Sequence, residues 1–169
     1  MRHRMGEPIS EGGLMVSPEL LRRYPFFSGL EDSHLKAIAM LTQEASSEKG
    51  KVIFEGDQPA SILYFLIEGS VELHYIVVDK HNPQFRKDFY VGEINPGEPF
   101  GISAMIEPFC YTATAIASNP CRILQIEAGG LRSLCEEESG AAAVLMRQIA
   151  RAVMTRLHET RVQLAAARA

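Results

Sequence analysis

The residues best equipped for chemistry in this chain are few, and their spacing does not suit catalysis. Its three cysteines, Cys110, Cys121 and Cys135, are an odd set at wide intervals. No C-x-x-C pair is present for zinc or thiol redox work, and a four-thiolate cluster would be one ligand short. Each cysteine has apolar neighbours, the setting of a small buried hydrophobe. The five histidines, His3, His34, His74, His81 and His158, form neither H-x-H nor H-E-x-x-H. His74 alternates with Leu73 and Tyr75, which places it with Glu72 on the polar side of a strand as a surface histidine. No nucleophile–base pair has local support. The expectation is a protein that is not an enzyme and holds no metal.

Composition narrows the classes further. There are 17 Lys plus Arg against 21 Asp plus Glu, a net charge of −4, which is unpromising for neutralising a phosphate backbone. At 169 residues, 46% hydrophobic and 22% charged, the chain suits one ordinary globular domain. Scaling for this length buries about two-thirds of the extended-chain surface, so no staple is required. No apolar run approaches the ~20 residues of a membrane span. The opening MRHRMGEPISEGG is basic but lacks the apolar core of a secretory signal. The expected setting is soluble and cytoplasmic.

The elements that must position any site follow from local grammar. Residues 1–16 read as a loose leader. Ser17-Pro18-Glu19 offers an N-cap and a first-turn proline for a short helix to about Tyr24. Pro25 to Leu30 breaks it, and Leu35, Ile38, Ala39 and Leu41 mark a second helix from about Asp32 to Thr42. From Gly50 the pattern turns to strands. They cover Lys51–Phe54, Ile62–Ile67, Val71–Val77, Phe85–Val91, Thr112–Ala117 and Cys121–Ile126. Turns fall at Gly56-Asp57-Gln58-Pro59, Glu68-Gly69, Asp79–Gln84, Asn95-Pro96-Gly97 and Asn119-Pro120. Short strands with turns at this rhythm predict an antiparallel β-roll of the jelly-roll kind. Helical pattern resumes over about Ala128–Glu137 and from about Gly140 to Leu164. The fold class is α+β: an antiparallel β-roll flanked by N-terminal helices and a long C-terminal helix. The expected divisions are the leader, a roll with short helices over 17–138, and a C-terminal helix over 139–169.

Four segments in order then carry a resemblance. They are Tyr24-Pro25-Phe26-Phe27-Ser28-Gly29-Leu30, Val52–Asp57 with Leu63–Val71, Ile94-Asn95-Pro96-Gly97-Glu98-Pro99-Phe100-Gly101, and Tyr111-Thr112-Ala113-Thr114-Ala115. Over about residues 17–164 the chain resembles the cyclic nucleotide-binding domain family, the effector module of catabolite-activator-type regulators, kinase regulatory subunits and gated channels. The resemblance implies a ligand site in the phosphate-binding cassette, at Phe100, Gly101, Ile102, Ser103, Ala104, Tyr111, Thr112 and Ala113. It also implies that a short helix and one Arg cradle the cyclic phosphate, while a Glu two residues after the Phe takes the ribose hydroxyl.

The chain departs from that pattern at two positions. Ile102 stands where the resemblance calls for Glu, and Tyr111 where it calls for Arg. Losing one partner of a buried charged pair costs about 2–5 kcal/mol, and losing a charge-assisted hydrogen bond about 1.5–3 more. Together that is about 300-fold to several hundred-thousand-fold in affinity. Two readings follow. One is a sensor or regulatory module in which cAMP or cGMP binds weakly or is replaced by another small effector; Ile102, Tyr111, Met105, Phe109 and Thr112 suit an apolar molecule. The other is a scaffold or interaction protein whose pocket is filled by side chains. Arg86, Lys87, Arg122 and Arg147 are the candidate cations that could replace the missing Arg.

Leu145, Ile149, Val153, Leu157 and Leu164 make an approximate helical stripe that outruns a roll of this size. The expected partner for it is the same helix of a second copy, giving a homodimer. Arg147, Arg151, Arg156 and Arg161 read as a solvated face. The residues after Leu164 are too few for a helix-turn-helix, so no DNA binding by this chain alone is expected. A protein partner of unknown kind would read out the movement of the terminal helix.

Overall fold

A computed structural model describes residues 13–169. Among the described residues, nine strands build two sheets. Strands β1 (Leu14–Met15), β2 (Thr42–Ser47), β9 (Cys121–Glu127), β4 (Ile62–Glu68) and β7 (Pro99–Phe100) form one, in that spatial order. Strands β3 (Val52–Phe54), β8 (Thr114–Ala117), β5 (Val71–Val78) and β6 (Arg86–Ile94) form the other. All pairings are antiparallel. Helices α1 (Pro18–Arg22), α2 (Asp32–Met40), α3 (Ala128–Glu137) and α4 (Ser139–Arg168) flank the roll. The expected fold class is the observed one.

Pairing geometry sets the two faces of the second sheet. Ala115 lies opposite Leu73 and Phe54, and Ala117 opposite Val71, so these side chains share the inner face. Val71, Ala115 and Ala117 are fully buried there, in one core with Leu66 and Ile123 of the first sheet, while Phe65 on the other face of β4 packs on Tyr24, Phe26 and Phe27. Glu72, His74, Thr114 and Ile116 share the outer face. Gly69 makes the tight turn between β4 and β5 at φ +95, and a Cβ there would stand 2.4 Å from the Pro120 carbonyl oxygen.

The structure differs from the sequence reading in several places. Leu14 and Met15 pair with β2 and Val16 is buried, so the last part of the supposed leader is ordered strand; positions 1–12 lie outside the described residues. The polar stretch Thr42–Ser47, of which the sequence reading assigned only Thr42, as the end of a helix, is a strand because β9 supplies six consecutive partners for it. Strand β8 starts at Thr114 rather than Thr112. The terminal helix runs to Arg168, and α1 stops at Arg22. Leu145 and Ile149 of α4 are buried in the same core as the roll.

Candidate functional site

The cassette region is a 3-10 turn, Ile102–Met105, between β7 and an irregular loop that leads to β8. Phe100 is fully buried and pairs with Tyr64 across β4. Gly101 follows at φ +64, and a Cβ there would meet Tyr64, Tyr111 and Phe54 ring carbons at 3.0, 3.2 and 3.3 Å. Both the left-handed backbone and the converging rings therefore demand glycine. Ile102 and Ser103 are half-buried, Ala104 is fully buried, Thr112 is exposed and Ala113 is half-buried.

Tyr111 does not point into open space. Its ring stacks on Phe54 at 4.0 Å between centroids and 17° between planes. Its hydroxyl donates to the Ile62 carbonyl at 2.8 Å and accepts from the Ile62 N–H at 3.3 Å. Phe54, Tyr64, Phe100 and Tyr111 thus form one aromatic cluster around Gly101. Burial raises the pKa of both phenols, so the cluster stays neutral. Position 111 is a wall of this region with its polar atom already engaged.

The four candidate cations are placed unequally. Arg122 is committed to Glu44 and Glu68, each at 2.7 Å, on the outside of the first sheet. Lys87 and Arg147 are exposed. Arg86, also exposed, lines a cavity of about 260 Å³ together with Thr112, Ala113, Thr114, Gly56 and His74. Of the four, only Arg86 shares a concave surface with cassette residues. That surface belongs to the outer face of the second sheet, because Val52, His74, Thr114 and Ile116 line it.

The inner face holds the more telling feature. Gly92 lies opposite Leu73 and alternates with buried Ile94, so a side chain there would point into the roll. Gly92 is itself buried, yet among the described residues no atom beyond its two chain neighbours lies within 4 Å of where its Cβ would stand. A side chain at position 92 would therefore meet open space beside Leu73, on the strand that precedes the cassette. A lone glycine in an otherwise strand-like run was the available signal for this, and sequence reasoning passed over it.

Two arginines that sequence reasoning did not connect to the cassette reach it. Arg132 of α3 donates from Nη1 to the Ala104 carbonyl at 2.7 Å and lies 4.2 Å over the Phe109 ring. Arg156 of α4, read from sequence as part of a solvated face, donates to the Pro99 carbonyl instead.

His74 also departs from its expectation of a plain surface histidine. Its Nδ1 lies 2.7 Å from Asp88 and its Nε2 3.0 Å from Glu72, and its side chain is only 16% exposed. Burial pulls its pKa down, but the hydrogen bonds and charges of Asp88 and Glu72 outweigh this and leave it raised. A raised folded-state pKa contributes stability that is fully present below the unfolded value of 6.5 and is lost as pH rises through the folded value. The difference in stability between the native protein and His74→Gln should therefore shrink as pH rises above 6.5. Urea unfolding across pH 5.5 to 8.5 checks this, and a constant difference would refute it.

Comparison with known proteins bears on the same region. The cyclic nucleotide-binding domain model matches residues 44–138. A crystal structure from Geobacter metallireducens GS-15, provisionally named a cyclic nucleotide-binding protein, aligns with a TM-score of 0.73 at 39% identity. The alignment covers 85% of this chain and 100% of that one. The CRP-like cAMP-activated global transcriptional regulator of Mycobacterium tuberculosis is 26% identical over 133 residues, 79% of this chain and 57% of the regulator. A provisionally named potassium channel protein of Rhodopseudomonas palustris is 29% identical over 136 residues, 80% of this chain and 31% of the channel. The chain thus spans less than two-thirds of the length of these curated relatives.

Proposed function

The chain belongs to the cyclic nucleotide-binding domain family, and on that premise we propose that it is a regulatory module whose roll admits a small effector of low charge in place of tightly held cAMP. The unfilled inner face at Gly92 carries this reading, since a pocket closed by its own side chains would leave no such room. The neutral wall supports the choice of effector: Ile102 packs on the core, and the Tyr111 hydroxyl is occupied by Ile62. A phosphodiester placed there meets no guanidinium at position 111, and burying an unpaired anion is costly. Ile102, Ser103 and Tyr111 are assigned to the proposed site, with Gly101 fixing the approach of the backbone, while Thr112 and Ala113 line the separate cavity on the outer face. The module acts by binding and carries out no reaction.

A thermal-shift screen against cAMP, cGMP, cyclic dinucleotides and a metabolite panel tests the reading. A bound effector at about 100 times its Kd should add about 2.7 kcal/mol of stability. Gly92→Val, which fills the gap, should remove that response while keeping the fold. No response from any compound would favour the second reading, a scaffold with a closed pocket, for which the aromatic cluster around Gly101 is the supporting observation.

The terminal helix supplies the output. Its apolar stripe divides: Leu145 and Ile149 are 1% and 2% exposed, while Val153, Leu157 and Leu164 are 41%, 40% and 50% exposed. The exposed half continues the face that packs on the roll, and a second copy of the same helix offers it a matching stripe. A homodimer through α4 follows, with any protein partner reading the helix's position. Leu157→Glu should convert the dimer to a monomer in light scattering at micromolar concentration. A native chain that already runs as a monomer would overturn the assignment.

A further inference from the structure

The cavity of about 260 Å³ on the outer face of the second sheet has a floor and two rims of different chemistry. Strand register sets the floor. Ile116 of β8 lies opposite Val52 of β3, and Val78 of β5 lies opposite Arg86 of β6, so these side chains stand on one face together with Ile76. Val52 and Val78 are apolar yet exposed, so among the described residues no other element covers this floor.

Charge is divided between the rims. On one side the loop after β3 brings Glu55 and Asp57 to the lining. Backbone donors hold that loop in place: the Asp57 N–H donates to the Tyr111 carbonyl at 2.8 Å, and the Gly56 N–H to the Thr114 hydroxyl at 3.0 Å. Arg86 stands on the other side, on β6. The loop is followed across the sheet by β8, β5 and β6, so the acidic backbone lies three strand spacings, about 14 Å, from the basic one. Side chains reaching in from both rims narrow that span to the size of a small molecule. Among the described residues, none of Glu55, Asp57 and Arg86 makes an ion pair. His74, between the rims, differs from them. Glu72 and Asp88 occupy both of its ring nitrogens, so it supplies a wall and no spare donor.

We propose that this outer cavity is a second ligand site, separate from the roll interior, and that it takes a small zwitterion with an apolar side chain, of the aliphatic α-amino acid class. The ligand's ammonium group meets Glu55 and Asp57, its carboxylate takes the planar fork of Arg86, and its side chain lies on Val52, Ile76 and Ile116. An anion alone would face two carboxylates, and an amine alone would leave the guanidinium unanswered. Only a molecule with both charges satisfies the two rims together. The site is independent of any effector bound inside the roll.

Titration of the full, isotope-labelled chain with L-leucine, read from its amide resonances, tests the assignment. Leucine should shift Gly56, Ile76, Thr112 and Thr114 along one saturable curve with a Kd below about 1 mM. N-acetyl-L-leucine lacks the ammonium group, L-leucinamide the carboxylate and glycine the apolar side chain; each should bind about tenfold more weakly or worse. Arg86→Met and Asp57→Asn should each weaken leucine about tenfold as well. Asparagine accepts the left-handed backbone that Asp57 adopts at φ +64, so the second variant keeps the loop. Should it nevertheless lose the native spectrum, Arg86→Met and the three analogues decide. The proposal is overturned if leucine leaves these amides unmoved well above that concentration, if any analogue binds as tightly, or if neither substitution weakens binding. It is also overturned if the shifts fall instead at Gly92, Ile102 and Tyr111. That pattern would put leucine inside the roll, so failure of this site and failure of the interior effector reading are told apart.

Discussion

The double substitution Ile102→Glu with Tyr111→Arg is expected to raise cAMP affinity by at least two orders of magnitude. The resemblance places a Glu and an Arg at these two positions, and the 3-10 segment and left-handed Gly101 beside them are in place. Restoring a buried counter-charge and a charge-assisted hydrogen bond is worth about 3.5–8 kcal/mol in sum. The lower end is the realistic one. Tyr111 must leave its stack on Phe54 and its two hydrogen bonds to Ile62, and the new arginine must turn away from that cluster to meet a ligand. The double variant should therefore bind cAMP more tightly while melting at a lower temperature. Isothermal calorimetry on the native chain, both single variants and the double variant measures the gain. Low-micromolar binding by the native chain would remove the basis of the prediction, because the two absent contacts would then not matter.

Tyr111→Ala should destabilise the fold by about 3–5 kcal/mol, the usual cost of deleting a buried aromatic ring. The ring is 5% exposed, stacks at 4.0 Å on Phe54, and sits 3.2 Å from where a Gly101 Cβ would stand. Its removal leaves a gap among rings that have no smaller arrangement available, since Gly101 provides no atoms to fill it. Tyr111→Phe isolates the hydroxyl and should cost about 1 kcal/mol, the net worth of a typical hydrogen bond, because the Ile62 backbone loses its partner. Urea denaturation of the two variants separates ring from hydroxyl. A loss below 1 kcal/mol for Tyr111→Ala would show that the cluster does not depend on this ring, and Tyr111 would become a free lining residue of the effector site.

Together these two experiments address whether position 111 serves the fold or the ligand. Tyr111 is bonded to the backbone of β4, and on the proposed reading it stands where the resemblance places a charged contact. The open space at Gly92 belongs to the same proposal.

Much of this could be read before any coordinates. Period-two alternation through Val71, Leu73 and Tyr75, with glycine turns at Gly69 and Gly97, is a local property of the chain and specifies a roll of short antiparallel strands. The identities of residues 102 and 111, and the lack of charge there, are equally plain from the sequence. Tertiary structure alone decided what depends on distant partners. Thr42–Ser47 has no strand-like composition and became a strand because β9 pairs with it. The direction of the Tyr111 side chain was decided by Phe54 and Ile62, 57 and 49 positions away in the chain, as Arg156 was drawn to Pro99 across 57. The α4 stripe has one periodicity along its length, and only the extent of the roll determines that it is covered at Leu145 and Ile149 and bare at Leu157. Periodicity states which face a residue takes, and what lies opposite that face is set by chain brought in from elsewhere.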